Sequence, residues 1–261
     1  MFCRVEIFLM HIFFHGEEGI GKCKIAFEFA RKILGVENLK SSPDFKYIEK
    51  NEEKKDIVIE QIRKEIVDDV YTVPSASERK VYIIDNAECL NIAAQNAILK
   101  TLEEPPKYVV IILVATTVSK FLPTILSRVT NIAFNGISKE ELKIYLKNNM
   151  NITLSDDILD FINGSIGLSQ RLINNNAIDS LKDIDELYKN MVKKDTINSL
   201  LQITKIDFNE KINLEYLEYI LYKNNKYSCV KFIEKARNRL KSNGNYDIVI
   251  DNMVLKIIDH I

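Results

Sequence analysis

Three glycines and a lysine lie in the segment GEEGIGKC, which ends at Cys23, and their spacing could hold a phosphate group. The segment fits the pattern G-x-x-x-x-G-K-[ST] at every position except the last, where a thiol replaces a hydroxyl group. Backbone N–H groups around Gly16, Gly19 and Gly21 could surround phosphate oxygens, and the following helix N-terminus adds positive dipole. Lys22 would add a point charge for the outer phosphates. The sequence therefore predicts a phosphate-binding loop.

The last position of this loop decides how well it could hold a metal ion. A hydroxyl group at this position ordinarily ligates Mg²⁺, which is a hard cation that prefers oxygen. The thiol of Cys23 is a poor substitute, although it can pack as a small apolar group. We therefore expect a loop that can bind phosphate but handles a metal badly, and no metal site is predicted. ATP with Mg²⁺ stays open as a ligand.

A second candidate group follows the apolar run VYIID, which ends at Asp85. A carboxylate at the carboxyl end of a parallel strand lies at the edge of the sheet where ligands bind. Asp85 could hold Mg²⁺ through water, but hydrolysis also needs a base that orients the attacking water. The next residue, Asn86, has an amide that cannot accept a proton, and Glu88 is expected to point elsewhere. These residues favour a site that has lost hydrolysis.

These groups need a scaffold, and the first half of the chain alternates short apolar runs with helical patterns. Continuous runs of aliphatic and β-branched residues are typical of parallel strands that are covered on both faces. Strands are predicted at 11–14, 45–49, 80–85, 108–115 and 131–134. Helices are predicted from apolar spacing at 22–34, 59–70 and 91–104. Alternating strands and helices predict an α/β domain with a parallel five-stranded sheet and helices on both faces.

Beyond Phe134 the apolar spacing is helical throughout, and it begins with a capping box from Ser138 to Glu141. We place domain boundaries near Asn135 and Ile178. The prediction is an α/β P-loop core over residues 1–135, a small helical domain over 136–178 and an all-helical domain over 179–261.

Composition and charge describe an ordinary globular protein, with 46% hydrophobic residues and a formal charge of −1. This balance gives no overall attraction to nucleic acid or to an anionic membrane. The basic segment KARNRLK, residues 235–241, could touch DNA phosphates, but such a helix face is more often solvated or a subunit contact. The cysteines form no C-x-x-C pair, so we predict no zinc, and no apolar run approaches the ~20 residues of a membrane span. We expect a cytoplasmic protein.

The segment from VYIIDNAECL through LKTLEEPP to ILSRVTNIAF resembles the δ′ subunits of bacterial DNA polymerase III clamp loaders. In that family an aspartate-ending strand, a helix ending L-K-T-L-E-E-P-P and a late S-R-C recur in this order. The resemblance runs from His11 to about Leu172 and reappears in FIEKARNRLKSNGNYDIVIDNMVLKI near the C-terminus. It implies an AAA+ ATPase core, a small helical lid at 136–178 and a helical collar at 179–261 that builds a five-subunit ring.

The resemblance also implies roles for individual residues. Ser127 and Arg128 match the S-R of the late motif, with Val129 in the place of the cysteine. The arginine would reach the γ-phosphate held by the adjacent subunit, a task that suits a forked and permanently charged guanidinium. Thr116, or alternatively Thr117, matches a sensor segment that hydrogen-bonds the γ-phosphate.

Three departures from the family pattern accompany these matches. Asn86 stands where active members carry an acid. Gly167, in the segment GSIG, stands where the lid motif G-S-x-R carries an arginine that contacts the nucleotide. The segment KILGVENLKSSPDF lacks the cysteines of the zinc module that many δ′ subunits carry. The resemblance, with these departures, implies a subunit that does not run a nucleotide site of its own.

The hypothesis from the sequence is a δ′-like stator of the DNA polymerase III holoenzyme that has no ATPase activity of its own and supplies Arg128 in trans. Its partners would be γ/τ-type and δ-type subunits in a hetero-pentameric ring and, through the ring, the sliding clamp and primer–template DNA. An autonomous AAA+ ATPase of branch-migration or helicase-loading type is the alternative. A small-molecule P-loop kinase is disfavoured by the helical C-terminal third and by the late S-R motif.

Overall fold

The computed structural model of the protein describes residues 11–50, 56–242 and 244–261. These residues form two compact units. The first unit contains the described residues up to Ile137 together with Ser165–Gly167, and the second contains Ser138–Gly164 and Leu168–Ile261. The short return of Ser165–Gly167 to the first unit was not predicted from the sequence. The division of the helical part into a lid and a collar remains a prediction.

A parallel sheet of five strands forms the centre of the first unit, in the order β2-β3-β4-β1-β5. The strands are β1 His11–His15, β2 Phe45–Ile48, β3 Lys80–Ile84, β4 Val109–Ala115 and β5 Thr130–Ala133. All four pairings are parallel, and each strand lies within a residue or so of its predicted position. The predicted α/β class is confirmed. Because β1 lies between β4 and β5, the loop that follows β1 emerges between the ends of these two strands.

The helices of the first unit cover this sheet. They are α1 Lys22–Leu34, α2 Ile59–Ile62, α3 Ile92–Glu103 and α4 Pro123–Leu126, with 3-10 turns at Leu39–Ser41 and Ala87–Cys89. The helix predicted over 59–70 is wrong in its second half, because Arg63–Val67 is a π-helical segment. The N–H of Asp68 reaches back five residues to the carbonyl of Arg63, at 2.9 Å, instead of four.

Two apolar cores lie on the two faces of the sheet. Alternate strand residues face opposite sides, so Phe13 joins the core that contains Ile62 and Ile98, while Phe14 joins the core that contains Ala26. All seven residues of β4 are buried. This double coverage explains why the sequence of β4 is a continuous apolar run with no polar alternation.

All regular secondary structure in the described residues of the second unit is helical. Its helices are α5 Lys139–Met150, α6 Asp156–Ile162, α7 Ile166–Asn174, α8 Ala177–Val192, α9 Thr196–Ile203, α10 Lys211–Lys223, α11 Tyr227–Lys241 and α12 Tyr246–His260. Lys223 of α10 contacts Asp157 and Asp160 of α6 at 2.6 and 2.8 Å, and Lys139 also reaches Asp160 at 2.6 Å. No described helix has both the length and the apolar character needed to cross a membrane.

A half-buried carboxylate holds the strands that carry the candidate site to the segment after α2. One oxygen of Asp69, Oδ2, accepts hydrogen bonds from the Tyr82 hydroxyl at 2.6 Å and from Lys80 Nζ at 3.1 Å. Lys46 Nζ lies 3.3 Å from the same atom. Lys80 is only 5% exposed, so its ammonium group depends on this carboxylate for a counter-charge.

Replacement of Asp69 by Asn is expected to destabilise the first unit by about 2–4 kcal/mol, because it leaves the ammonium group of Lys80 buried without a counter-charge. Chemical denaturation followed by circular dichroism measures this change. The adjacent exposed carboxylate gives a matched control, since Asp68→Asn should change stability by less than ~0.5 kcal/mol. Equal effects of the two substitutions would contradict the role of this cluster.

The same cluster predicts how stability depends on pH. Burial acts to raise the pKa of Asp69, but hydrogen bonds from Tyr82 and Lys80 outweigh it and lower the pKa below its usual value. The contribution of Asp69 to stability is therefore complete above about pH 4 and is lost as the pH falls through the lowered pKa. In Asp69→Asn this part of the acid destabilisation should disappear.

Candidate nucleotide-binding site

The loop between β1 and α1 has a backbone that requires its glycines. Gly16, Gly19 and Gly21 all have positive φ angles, of 144°, 77° and 94°. A side chain at Gly16 would also collide with the carbonyl oxygen of Phe134, which directly follows β5. The predicted loop is therefore present, after a strand and at the start of a helix, where a phosphate-binding loop must lie.

The ammonium group of Lys22 is turned back onto this loop. Its Nζ donates to the carbonyl oxygens of Gly16 at 2.7 Å and Glu17 at 2.6 Å, and the residue is 6% exposed. Burial lowers the pKa of Lys22, while the nearby carboxylates of Glu88 and Asp85 act in the opposite direction. Two of the three N–H donors of this ammonium group are therefore used within the loop, and one is left for a phosphate group.

Asp85 lies directly after β3, and both of its carboxylate oxygens accept hydrogen bonds from the chain. Oδ2 accepts from the Tyr47 hydroxyl at 2.8 Å, and Oδ1 accepts from the N–H of Asn86 at 2.9 Å. Burial and the hydrogen bond to Asp85 raise the pKa of Tyr47, so its hydroxyl remains a proton donor. Tyr47 lies on β2, the strand that pairs with β3, and was not identified from the sequence.

The thiol of Cys23 adjoins this pair. Burial first, and then the charge of Asp85, raise the pKa of Cys23 to about 11, and both Asp85 and Tyr47 act on the thiol through hydrogen bonding. The thiol is therefore protonated near neutral pH. We call Cys23, Tyr47 and Asp85 the thiol–tyrosine–aspartate cluster.

This cluster does not fit a Mg²⁺ site. Magnesium requires near-octahedral coordination by oxygen atoms and exchanges its water reluctantly. Here the position of the usual hydroxyl ligand carries a protonated thiol, and the carboxylate of Asp85 already accepts hydrogen bonds from Tyr47 and Asn86. Each oxygen of Asp85 keeps one lone pair, but the adjoining position offers only a protonated thiol, which is a poor ligand for this hard cation.

Glu88 points into this region and not away from it, so the prediction for its direction is wrong. Its Oε1 accepts from the Thr116 hydroxyl at 2.5 Å and from the Thr116 N–H at 3.2 Å. The proton of Thr116, the predicted γ-phosphate sensor, is thus already donated within the chain. The 3-10 turn Ala87–Cys89 after β3 directs Glu88 toward the end of β4. Thr117 instead pairs with Ser119, at 2.9 Å between their hydroxyl oxygens.

Gly167 lies directly on the glycine loop. Its N–H donates to the carbonyl oxygen of Gly19 at 2.8 Å, and the Ser165 hydroxyl donates to the Glu18 carbonyl at 3.0 Å. A Cβ atom at position 167 would lie 2.8 Å from the oxygen and 2.9 Å from the Cα of Gly19. This position, where the family resemblance implies an arginine, therefore has no room for any side chain.

Together these residues surround a cavity of about 360 Å³ at the carboxyl edge of the sheet. Ligand pockets of drug-sized molecules measure roughly 300–1,000 Å³. Six of the predicted nucleotide-binding residues line this cavity: Gly19, Gly21, Lys22, Cys23, Asp85 and Thr116. Gly16 shapes the loop and holds Lys22 without lining the cavity. The structure thus brings the predicted residues together, but most of their polar atoms already have partners.

Arg128 is separate from this cavity, because it is not among the residues that line it. The side chain follows α4 and is 33% exposed; one Nη atom lies 2.8 Å from Glu103 Oε1 and the other donates to the carbonyl of Thr124 at 2.8 Å. It also donates to the Ser127 hydroxyl at 3.2 Å. Glu103, which the sequence did not identify, belongs to the same LKTLEEPP segment that carries the family resemblance. The guanidinium is held in one orientation by these three groups.

The parallel sheet in the order β2-β3-β4-β1-β5, with a glycine loop after its β1 strand and an aspartate after β3, defines an α/β protein of the P-loop class. The family model described as "DNA polymerase III, delta subunit" matches residues 8–138. The match covers half of the 261 residues, and the chain belongs to this family.

Curated relatives carry the names of several DNA polymerase III subunits. The chain is 36% identical over 152 residues to the gamma subunit of Buchnera aphidicola subsp. Schizaphis graminum, over 56% of this chain and 39% of that protein. It is 32% identical over 130 residues to the delta′ subunit of Pseudomonas aeruginosa, over 44% of this chain and 39% of that protein. The chain thus spans less than half the length of either relative.

A solved structure shares the fold over nearly the whole chain. It is a DNA polymerase III gamma subunit-related protein from Thermotoga maritima, with a TM-score of 0.55 and 20% identity, covering 96% of this chain and 94% of that chain. At this identity the likeness concerns the fold alone.

The raised pKa of Cys23 predicts slow alkylation. With a pKa of about 11, its thiolate fraction near neutral pH is ~300-fold below that of an ordinary thiol of pKa about 8.5. Iodoacetamide labelling followed by peptide mass spectrometry should show a correspondingly slow rate for Cys23, rising as the pH increases.

Removal of the charge of Asp85 tests whether this carboxylate contributes to the raised pKa of Cys23. Asp85→Asn should lower the pKa of Cys23 and accelerate its alkylation. Glu37→Gln, which neutralises an exposed carboxylate elsewhere in the first unit, should leave the rate unchanged. If Cys23 of the wild-type chain reacted as fast as a cysteine in an unfolded peptide, its pKa would not be raised by the surrounding cluster.

Proposed function

We propose that this chain is a clamp-loader subunit of DNA polymerase III with a δ′-like stator role. It supplies Arg128 to a nucleotide held by a neighbouring subunit and does not hydrolyse ATP itself. The observation that carries the proposal is the contrast between the two candidate sites. Polar side chains that line the cavity at the glycine loop are engaged in internal hydrogen bonds, whereas Arg128 lies outside that cavity with a third of its side chain exposed.

The loss of hydrolysis is supported by four features of the cavity. Asn86 cannot act as a base, the cluster of Cys23, Tyr47 and Asp85 does not fit Mg²⁺, and Thr116 already donates to Glu88. The fourth feature is the absence of space for a side chain at Gly167. Each of these removes a group that would position water, metal or the γ-phosphate. The backbone N–H groups of the loop and Lys22 remain. They stabilise the fold or bind a nucleotide without hydrolysing it.

The action of Arg128 in trans is supported by the way it is held. Its ion pair with Glu103 is partly exposed, with 33% and 47% of the two side chains accessible. Ion pairs of this kind contribute only about 0–1 kcal/mol, so exchange of Glu103 for a phosphate oxygen costs little. The pair keeps the guanidinium ordered until a nucleotide on a neighbouring subunit takes the place of the carboxylate.

The partners follow from this role. We propose that γ/τ-type and δ-type subunits flank the chain in a hetero-pentameric ring, and that the ring acts on the sliding clamp and primer–template DNA. The names of the curated relatives support a place within DNA polymerase III. The stator assignment itself rests on the contrast between the loop cavity and Arg128.

Two alanine substitutions separate the roles of the sites. Arg128→Ala is expected to lower the DNA-stimulated ATPase of the assembled complex by about 10-fold or more, since an arginine finger contributes ~10³–10⁵ at the site it completes. Lys22→Ala should change that rate little. Arg31→Ala is the matched control, because Arg31 is also a partly exposed arginine, 36% accessible and paired with glutamates. Equal losses in Arg128→Ala and Lys22→Ala would overturn the stator role.

The lack of fit for Mg²⁺ predicts metal-independent binding of nucleotide to the isolated chain. Calorimetric titration with a non-hydrolysable ATP analogue should give the same affinity, or the same lack of it, with Mg²⁺ and with chelator. The double variant Cys23→Thr, Tyr47→Phe restores the hydroxyl ligand and releases one oxygen of Asp85, and it should bind more tightly with Mg²⁺. Mg²⁺-dependent turnover by the isolated wild-type chain would contradict the proposal and favour an autonomous ATPase.

A further inference from the structure

A groove of about 710 Å³ lies between α11 and the start of α12, in the second unit. A smaller depression adjoins it and shares Lys235 and Arg239 with it. The charged residues that line the two are Lys231, Glu234, Lys235, Arg239 and Lys256. We call this surface the basic groove. Four cations and one carboxylate give it a formal charge of +3, in a chain whose formal charge is −1.

The cations of the basic groove are not neutralised by carboxylates of the described residues, although Lys231 Nζ lies 4.9 Å from the centroid of the Phe232 ring. None of Lys231, Lys235, Arg239 and Lys256 forms an ion pair across the ranges that the structure describes. Arg237, on the same helix, shows the contrast: its Nη2 lies 2.7 Å from Glu218 Oε2 and the residue is half-buried. A set of exposed, unpaired like charges repels itself, so it is stabilised by a polyanion that covers it.

The spacing of the cations matches an extended row of negative charges. Lys231, Lys235 and Arg239 recur at every fourth residue of α11, so they lie on one side of the helix at intervals of ~6 Å. Lys256 of α12 extends the row across the smaller depression. Asn238 and Asn252 line the same surface and can donate to phosphate oxygens.

The composition of the groove favours nucleic acid over a protein partner. Protein interfaces are enriched in aromatic residues and depleted in lysine at their centres. Here three lysines and an arginine surround a single largely exposed apolar side chain, Ile248, which is 65% accessible. Such a surface is suited to a phosphodiester backbone, which is contacted mainly through its charge.

We propose that the basic groove between α11 and α12 binds the phosphodiester backbone of nucleic acid. This contact is additional to the stator role and does not depend on it. Binding at this groove is electrostatic and independent of base sequence. The groove presents charged and amide groups to the phosphodiester backbone and has no element that enters the major or minor groove of DNA. For the segment KARNRLK the proposal favours contact with phosphates over the other interpretations given above, a solvated surface or a subunit contact.

Salt dependence of binding tests the proposal in the full-length chain. Four phosphate contacts predict that affinity for a fluorescent single-stranded oligonucleotide falls ~50-fold between about 50 and about 200 mM salt, and for the matching duplex ~150-fold. Fluorescence anisotropy measures both, and the two arms distinguish single-stranded from duplex DNA as the ligand.

Charge-removing variants locate the contact. Lys235→Gln with Arg239→Gln leaves two contacts, so the same change of salt should lower affinity only ~7-fold for the single strand and ~12-fold for the duplex. Lys231→Gln with Lys256→Gln removes equal charge from the ends of the groove and should have the same effect. Lys182→Gln with Lys211→Gln is the matched control: it removes two exposed cations of α8 and α10 that line no part of the groove.

Three outcomes would overturn the proposal. The first is an absence of salt-dependent binding by the wild-type chain. The second is a salt dependence that the control pair reduces as much as the groove pairs. The third is a groove pair that loses assembly with other subunits while DNA affinity is unchanged, which would identify an acidic protein partner. None of these would alter the expected effect of Arg128→Ala on the ATPase of the assembled complex.

Discussion

The carboxylate of Asp85 is the group on which the loop cavity depends. In a partly buried site each oxygen of a carboxylate must find donors, and networks of this kind are stable only when every member is satisfied. Tyr47 and the N–H of Asn86 supply the donors, and the protonated thiol of Cys23 completes the surroundings. The chain therefore satisfies internally a group that would otherwise attract a metal ion. Two further polar side chains of the cavity are also bonded within the chain. Lys22 donates to carbonyl oxygens of its own loop, and Thr116 donates to Glu88.

Much of the secondary structure of the first unit could be predicted, because it depends on residues that are close together in the sequence. Parallel strands covered on both faces leave continuous apolar runs, and the prolines after Glu103 mark the end of α3. The segment after Ile62 could not be predicted, because a π-helical turn and an α-helical turn have nearly the same apolar spacing. Only the hydrogen bond from Asp68 to Arg63 distinguishes them.

The residues of the site could be predicted from the sequence, but the hydrogen bonds between them could not. The glycine loop and Asp85 follow from motif and strand order, so the sequence identified them. The partners Tyr47 and Glu88 depend on which strands are neighbours: β2 pairs with β3, and the N–H of Asp85 donates to the carbonyl of Ile48 at 2.9 Å. Adjacency of this kind is set by the packing of the whole sheet, so single-chain patterns carry no signal for it.

The contact between Gly167 and Gly19 has a consequence for substitution at position 167. An arginine at this position would need space above the loop, and backbone atoms of Gly19 fill that space. A mutation that introduced this arginine alone would force the loop and the Ser165–Gly167 segment apart, at a cost of the ~1–3 kcal/mol typical of overpacking. Such a substitution would therefore lower stability before it could affect any binding in the cavity. Glycine at position 167 is a packing requirement of the loop itself, whatever the cavity binds.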